Sequence, residues 1–353
     1  MKVYINSATA ISPQQTFCQP FELVKPERYE TEYLKCLEPD YKAYVNPTMI
    51  RRMGRVVKMG VAAAIQCLKD AGLENPDAII TGTGLGCIED TETFLNDIIK
   101  NNEQFLPPTS FIQSTHNTIA GQIALLLKCN SYNYAYVHRN FSFENALQDA
   151  LMMMSEQHDQ KILIGGVDEI TPTSFKIMKR LDLYKSVLSL NTDIFKERTD
   201  GSIAGEGAAF FVLSENRVNA FALVDGVKIF YKPETQTQTE QQISSFINER
   251  GLSLNDIDAV IMGYSADRKS DNLYDTLADG LFASNNLLFY KHLCGEYFAS
   301  SSFAMWAATN ILKQNSCPDC IKLRGGEVEK YNHILIYNQF ENSEHALILL
   351  SSC

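Results

Sequence analysis

Short runs of apolar residues alternate along the chain with stretches in which apolar residues recur every three or four positions. The first pattern is typical of buried strands and the second of amphipathic helices, so the sequence predicts an α/β fold. Strands are predicted at residues 3–7, 78–81, 133–137, 161–164, 208–213, 221–229, 259–262, 287–290, 333–337 and 346–351. Helices are predicted at residues 48–72, 118–127, 143–154, 239–250 and 301–314.

The alternation of strands and helices starts again near residue 216. We therefore expect two halves, residues 1–215 and 216–353, built on the same βα logic. This order suggests an internal duplication, although the two halves share no repeat that is visible in the sequence.

Charge and composition narrow the functions that the chain can have. Its 353 residues are 45% hydrophobic and carry a formal net charge of -11. This charge argues against nucleic acid or an anionic membrane surface as a partner. No apolar run approaches the ~18 residues of a membrane span, and the first residues form no signal peptide. Nine scattered cysteines favour free thiols, so we expect a cytoplasmic protein.

Two short motifs suggest bound groups, but neither is complete. The glycines at positions 82, 84 and 86 lack the spacing of a dinucleotide-binding loop, so a tight turn after a strand is the favoured interpretation. Cys317 and Cys320 form a single CxxC pair without a second pair of ligands. We expect neither a cofactor nor a metal.

Several segments resemble β-ketoacyl-acyl-carrier-protein synthases, which belong to the thiolase superfamily. Residues 199–208 (Thr-Asp-Gly-Ser-Ile-Ala-Gly-Glu-Gly-Ala) are similar to the family's Asp-Gly-x-x-x-Gly-Glu-Gly-Ala motif, and residues 117–121 resemble its Asn-x-x-Ala-Gly segment. Matching segments extend from residue 2 to about residue 351. The resemblance implies a thiolase-like, five-layered αβαβα sandwich made of two duplicated halves, and it implies dimers.

The resemblance also indicates where three catalytic residues of active family members would lie. Counting from the flanking motifs puts the nucleophilic cysteine at Asn140, which cannot carry an acyl group as a thioester. The two histidine positions fall on Gly263 and on Glu296, although Lys291 of the second histidine motif is kept. A carboxylate would repel the negative charge that develops in the condensation. We expect no catalytic residues here, and an ion pair of Glu296 with Lys291 or Arg139.

The family's glycine-rich loop beside the nucleophile is also altered. Asn338 and Phe340 remain, but the glycines are replaced in the stretch Asn-Gln-Phe-Glu-Asn-Ser-Glu. Because glycine is the residue that tolerates unusual backbone angles, we expect this remnant no longer to move as a gate.

Two other interpretations of charged and nucleophilic residues stay open. A rebuilt active site would use Cys294 as the thiol and His292 or His138 as the base, which requires all of them to meet in one place. The basic residues at positions 51, 52, 55 and 58 are interpreted as a solvated helix face, and secondarily as a dock for a carrier protein.

In some polyketide and aryl polyene pathways, an active ketosynthase pairs with an inactive paralogue, the chain-length factor, which completes the acyl tunnel. This sequence resembles such a subunit, including those of aryl polyene or flexirubin-type pathways. The implied partners are an active ketosynthase or a second copy, and an acyl carrier protein that reaches the complex. Residues expected in the tunnel or interface are Phe111, Ile112, Tyr134, Tyr136, Phe143 and Leu147. The rivals are a homodimeric acyltransferase or decarboxylase with a rebuilt site, and a non-enzymatic acyl-binding homodimer.

Overall fold

The computed structural model describes residues 1–186, 190–196 and 198–353. Its strands are β1 (Val3–Ile11), β2 (Ala78–Gly82), β3 (Tyr132–Tyr136), β4 (Ile162–Asp168), β5 (Gly207–Ser214), β6 (Ala222–Tyr231), β7 (Ala259–Met262), β8 (Asn286–Phe289), β9 (Lys322–Arg324), β10 (His333–Phe340) and β11 (Glu344–Ser351). Its helices are α1 (Pro47–Ile50), α2 (Arg55–Asp70), α3 (Ile88–Lys100), α4 (Pro108–Gln113), α5 (Thr118–Leu127), α6 (Ser142–Glu156), α7 (Pro172–Arg180), α8 (Gln236–Asn248), α9 (Asp271–Asp279), α10 (Lys291–Cys294) and α11 (Ser301–Gln314).

The described strands are joined by hydrogen bonds in the order β3-β2-β4-β5-β1-β6-β11-β10-β7-β8-β9. Read outward from the β1–β6 contact, both halves repeat two antiparallel pairs followed by two parallel pairs. The first half therefore reads β1-β5-β4-β2-β3 and the second reads β6-β11-β10-β7-β8. This common order is the duplication that the strand pattern suggests.

Alternating residues along the strands divide the interior into three cores. On β5, for example, Phe211 faces the central core, whereas Phe210 faces an outer core with α2 and α5. The second outer core packs α8 and α9 on β7, β10 and β11. The central core holds α6 and α11 between the two half-sheets. The layers are therefore αβαβα, as expected, because the central strands of each half bury both of their faces.

Helix α11 is buried on nearly all sides because it lies in the central layer. Its apolar residues, including Phe303 and Trp306, pack in the central core. Small polar residues such as Ser301 and Ser302 are fully buried near its start. A helix in this position has no solvated face, which explains why its sequence is not amphipathic.

The predicted helix over residues 48–72 is wrong in one respect, because the chain breaks at residues 51–54 and forms α1 and α2. Asn46 caps α1 by accepting a hydrogen bond from the Thr48 amide at 2.9 Å. Arg55, which begins α2, does not belong to a solvated face, because its guanidinium binds the buried Glu206. Arg51 and Arg52 are exposed as predicted.

The proposed division after residue 215 falls in the turn between β5 and β6. Hydrogen bonds between β1 and β6 join the two halves into one sheet, so the halves 1–215 and 216–353 stay a prediction as units. Of the helices in the described part of the chain, none combines the length and the apolar character needed to cross a bilayer.

Candidate functional site in the cleft between the two halves

Asn140 lies in the turn between β3 and α6 and is almost completely buried. Its side-chain Nδ2 donates a hydrogen bond to Glu344 Oε2, at the start of β11, at 3.2 Å. Asn140, which the sequence predicts at the nucleophile position, thus contacts the second half of the chain through an amide–carboxylate hydrogen bond. An amide engaged in this way offers no nucleophile.

Glu296 follows the short helix α10 and a left-handed glycine, Gly295. The Lys291 ammonium lies 2.5 Å from Glu296 Oε2, and Lys291 is buried. The Ser300 hydroxyl is 3.3 Å from the other carboxylate oxygen of Glu296. The ion pair that the sequence predicted between Lys291 and Glu296 is therefore present, and it does not involve Arg139.

Gly263 follows β7, in a place with no room for a side chain. A Cβ atom there would lie 2.1 Å from Asn338 Oδ1 and 2.6 Å from the Tyr274 hydroxyl. Tyr274 in turn accepts a hydrogen bond from the Gln339 amide at 2.7 Å. Tyr274 and Asn338 thus fill the space into which a side chain at position 263 would project.

Two cavities meet at this site. An inner cavity of about 20 Å³ is lined by Asn140, Glu296, Phe340, Ser202 and neighbouring aliphatic and aromatic side chains. An outer cavity of about 360 Å³ also reaches Glu296 and Phe340 and extends to Tyr274. Asn140 and Glu296 are therefore brought together on one inner cavity, whereas Gly263 lies behind the wall and lines neither cavity.

The remnant of the glycine-rich loop is a tight β-hairpin that connects β10 to β11. Glu341 and Asn342 both have left-handed backbone angles, with φ of 50° and 55°. The Ser343 amide donates to the Phe340 carbonyl at 3.0 Å, and the Asn342 amide donates to the Gln339 side chain at 2.7 Å. Phe340, at the end of β10, separates the two cavities.

The retained family motif at residues 199–208 supports the site from behind. A Cβ atom at Gly205 would lie 2.0 Å from the Cys294 carbonyl oxygen, so only glycine fits there. The Gly205 amide donates to the Glu296 carbonyl, and the Glu296 amide donates to the Ile203 carbonyl. The motif thus fixes the backbone of Glu296 without supplying a reactive side chain.

Glu206 of the same motif is buried and fully hydrogen-bonded. Both of its carboxylate oxygens accept from Arg55 at 2.5 Å. The amides of Cys36 and Ile170 donate to the same two oxygens at 2.8 and 3.1 Å. Glu206 is therefore a structural residue that ties four segments together.

The residues of the rebuilt-site interpretation do not meet on either cavity. Cys294 is buried, and burial together with the charge of Glu296 raises the pKa of its thiol well above the usual value. His292 is buried against Phe289, and burial lowers its pKa to about 3. His138 is exposed and stacks on Phe141. A thiol with a raised pKa is a poor nucleophile, so this arrangement does not activate Cys294.

Glu144 is a site residue that the sequence reasoning missed. It is fully buried on α6, one helical turn after Asn140, and neither carboxylate oxygen makes a hydrogen bond with a described residue. Burial raises its pKa to about 7, and the nearby Ser301 hydroxyl and Lys291 lower it in part. The position of this glutamate between the apolar residues Phe143 and Leu147 of α6 was the sequence pattern that could have predicted a buried acid.

The predicted tunnel and interface residues fall into two groups. Phe143 and Leu147 have no exposed surface and pack in the central core, so their place in a tunnel or interface stays a prediction. Phe111 and Ile112 on α4 are more than half exposed, and Tyr134 on β3 is about half exposed. Tyr136, also on β3, is half-buried and packs against Tyr134.

Among the residues that the structure describes, no three His, Cys, Asp or Glu side chains are arranged to hold a metal ion. Cys317 and Cys320 are partly buried, and burial raises the pKa of each thiol to about 11. Such thiols carry little of the thiolate that metal binding requires.

The sequence relatives are condensing enzymes. Residues 30–191 match the family model described as the N-terminal domain of β-ketoacyl synthase. Over these residues the chain is similar to β-ketoacyl synthases. It is 24% identical over 201 residues to 3-oxoacyl-[acyl-carrier-protein] synthase 2 of Vibrio cholerae and 22% identical to the synthase of that name from Vibrio harveyi. Each alignment covers 54% of this chain and 48% of the relative, so the chain spans about half the length of the curated relatives it matches.

Solved structures of ketosynthases share the fold over the whole chain. The ishigamide ketosynthase/chain length factor superposes with a TM-score of 0.82 at 18% identity, and a β-ketoacyl synthase from Burkholderia phymatum superposes with 0.83 at 15% identity. A ketosynthase complex with a type II polyketide acyl-carrier protein gives 0.77 at 15% identity. Each comparison covers 100% of this chain and 99% of the other. The β-ketoacyl synthase fold is therefore present, in agreement with the fold expected from the sequence.

Proposed function

We propose that this β-ketoacyl-synthase-like chain is a non-catalytic subunit that pairs with an active ketosynthase and shapes its acyl tunnel, as a chain-length factor does. The observation that carries the proposal is the inner cavity. Its described lining contains an amide, Asn140, and a carboxylate, Glu296, and no thiol or imidazole.

The chemistry of condensation explains why this lining argues against catalysis. The reaction needs a thiolate that accepts the acyl chain and donors that stabilise an enolate as carbon dioxide leaves. Asn140 supplies no thiolate, and Glu296, which is paired with Lys291, offers acceptor oxygens where the condensation needs hydrogen-bond donors. Lys291 is held by Glu296 and so is not free to act as the missing donor.

The size of the inner cavity supports a role that depends on a partner. A volume of about 20 Å³ holds little more than one water molecule and cannot hold an extended acyl chain. We infer that the acyl chain lies in the partner's pocket and that this chain contributes wall residues from the interface, among them Phe111 and Ile112.

The edge of the sheet offers a surface for such a partner. Strand β3 ends the sheet, and its unpaired side can extend the sheet into another chain. Tyr132, Tyr134 and Val137 are each more than two-fifths exposed there, and an apolar surface of this kind marks an interaction site. Because the ishigamide relative is a ketosynthase/chain length factor, we infer that the occupant is a ketosynthase.

Pairing with a ketosynthase also implies the substrate that the pair receives, which is an acyl chain on a carrier protein. The acyl chain comes on an acyl carrier protein that reaches the pair, as in the related complex with a ketosynthase. The pathway is of the polyketide or fatty-acid type, with aryl polyene or flexirubin-type products as the finer proposal, and we propose that the pair works in the cytoplasm.

Co-expression with a ketosynthase from the same organism that has the cysteine and both histidines tests the pairing. Native mass spectrometry is expected to find one copy of each chain. Tyr134→Asp on β3 is expected to abolish the pair, whereas Leu323→Asp on the opposite sheet edge, β9, serves as the matched control and leaves it intact. A stable homodimer that ignores every ketosynthase offered would refute the proposal and favour the acyl-binding homodimer.

The rival enzyme with a rebuilt site makes a different prediction. It requires Cys294 to react, yet Cys294 lines neither of the two cavities and its thiol has a raised pKa. Labelling of the native protein with a carrier-linked acyl thioester at Cys294 would favour that rival.

A further inference from the structure

Arg139 stands in a strained backbone conformation next to Asn140. Its φ is 46°, in the left-handed region, which costs about 1–2 kcal/mol for a residue with a Cβ atom. Such strain persists where the surrounding structure enforces it, and it is concentrated at functional sites. The strained backbone therefore marks Arg139 as a candidate functional residue.

The turn that carries Arg139 is held firmly from the inside. The buried Ser142 hydroxyl lies 2.7 Å from the Arg139 carbonyl oxygen and 3.0 Å from the Thr83 carbonyl oxygen. The His138 amide donates to the same hydroxyl at 2.9 Å. These contacts fix the backbone of residues 138–142 and direct the Arg139 residue outward from the end of β3.

The side chain of Arg139 is exposed and forms no ion pair with a described residue. It follows Val137 and Tyr134, two exposed apolar side chains of the unpaired edge. Charges across protein interfaces are arranged to be complementary, so an arginine placed at an interface pairs best with a carboxylate of the partner.

A second copy of this chain would not supply that carboxylate along the strand. Two-fold antiparallel pairing about any residue of β3 places Arg139 opposite a residue between positions 125 and 133. This segment contains no acidic residue, and its one charge is that of Lys128. On α6, Glu144 is fully buried, and Asp149 already accepts the Tyr132 hydroxyl at 3.0 Å.

We infer that Arg139 is an interface residue that donates hydrogen bonds to a carboxylate of the partner ketosynthase where the two edge strands meet. This inference rests on the proposed pairing with a ketosynthase. The rigid turn orients Arg139 in the free chain in the same way as in the complex. The strained backbone therefore preorganises the guanidinium for binding.

Three variants of Arg139 test the inference, with the dissociation constant of the ketosynthase pair and the melting temperature of the isolated chain as readouts. Arg139→Ala is expected to weaken the pair by about 10–100-fold, the range for a charge-assisted hydrogen bond. Arg139→Lys keeps the charge but loses the forked geometry, so it is expected to fall between wild type and alanine.

Arg139→Gly separates the role in binding from a role in folding. Glycine tolerates the left-handed backbone, so this variant is expected to raise the melting temperature of the isolated chain while weakening the pair as alanine does. Arg217→Ala, which removes an exposed arginine from the β5–β6 turn, is the matched control and is expected to change neither readout.

Each outcome decides a separate question. If wild type pairs and Arg139→Ala pairs equally well, the inference about Arg139 is overturned while the proposed function stands. If wild type pairs only with itself and Arg139→Ala abolishes that homodimer, the choice of partner is overturned. If wild type pairs with no ketosynthase at all, the proposed function itself fails.

Discussion

Two buried glutamates near the same cleft differ in how they are accommodated. Glu206 accepts two hydrogen bonds from Arg55 and two from backbone amides. Glu144 is equally buried, makes no hydrogen bond with a described residue, and has a pKa raised to about 7. The first lies in the 199–208 segment, and the second lies one helical turn after Asn140 on α6.

The different hydrogen bonding of Glu206 and Glu144 shows that the backbone around the site can be well ordered while a nearby buried side chain stays unsatisfied. The frame, built from the 199–208 motif and Gly295, is close-packed and fully hydrogen-bonded, as a backbone scaffold must be. The small cavity beside it is lined by Asn140 and by Glu296, whose carboxylate is paired with Lys291, and the unsatisfied Glu144 lies outside that lining. This division between a well-ordered frame and a cavity without a thiol or imidazole in its described lining is what the proposed role as a partner subunit requires.

The largest effect on stability is expected from breaking the frame. Glu206→Ala leaves the Arg55 guanidinium and two amides without their acceptor, and removing one member of a buried pair costs about 3–5 kcal/mol. Urea unfolding followed by circular dichroism measures the loss. Glu206→Gln, which keeps the shape but not the charge, is expected to lose less, and equal stability of Glu206→Ala and wild type would refute the structural role.

A slightly smaller loss is expected from breaking the ion pair inside the altered cavity. Lys291→Met leaves the Glu296 carboxylate without its ammonium and removes the cation that moderates Glu144, at a cost of about 3 kcal/mol. The double variant Lys291→Met/Glu296→Leu removes both charges and is expected to return close to wild-type stability. If the double variant is no more stable than the single one, the pair is not coupled as described.

The unsatisfied acid predicts a pH dependence of stability. The pKa of Glu144 is about 7 in the folded chain and about 4.5 when unfolded, so the folded state binds the extra proton between these values. The stabilisation of the folded state by protonated Glu144 is fully present below pH 4.5. As the pH rises through 7, the free energy of unfolding falls by up to about 3 kcal/mol.

Glu144→Gln removes this dependence because its amide does not titrate. At pH 8 the variant is expected to be more stable than wild type by roughly 3 kcal/mol, and the difference is expected to vanish below about pH 4.5. Urea unfolding of both proteins across this range provides the measurement. A constant difference at every pH would show that Glu144 does not titrate in this range.

The smallest effect is expected at the hairpin that replaces the glycine-rich loop. Glu341 and Asn342 occupy left-handed positions for which Asn-Gly is the preferred pair. Glu341→Asn/Asn342→Gly is expected to stabilise the chain by about 1 kcal/mol without changing association with a ketosynthase. A thermal melt measures the gain, and a lower melting temperature would contradict the hairpin geometry.

Local patterns in the sequence predict the elements whose apolar residues are continuous or strictly periodic. The bounds of α5, β7 and α11 agree with the predicted ranges 118–127, 259–262 and 301–314. Helices α7 and α9 were missed because they are short and rich in polar residues, and the longer α3 was missed because it has no buried residue. Their helical state depends on contacts that local periodicity does not reveal.

The site was predictable only as far as motif counting allowed. Counting placed Asn140 and Glu296, which the fold brings to one cavity, but it gave no sign that Gly263 lies behind Tyr274 and Asn338. Arg55 was assigned to a solvated face because its partner, Glu206, is 151 residues away. Contacts of this range depend on the tertiary fold, so no local pattern identifies them.

The most direct test of the central claim is to incubate the isolated chain with malonyl- and acyl-carrier protein and follow intact mass and carbon dioxide release. Because the cavity has no thiol or imidazole in its described lining, we predict no acyl adduct and no decarboxylation above a carrier-protein blank, while the co-purified ketosynthase pair shows both. A stoichiometric adduct on the isolated chain, or decarboxylation that survives removal of every ketosynthase, would contradict the account.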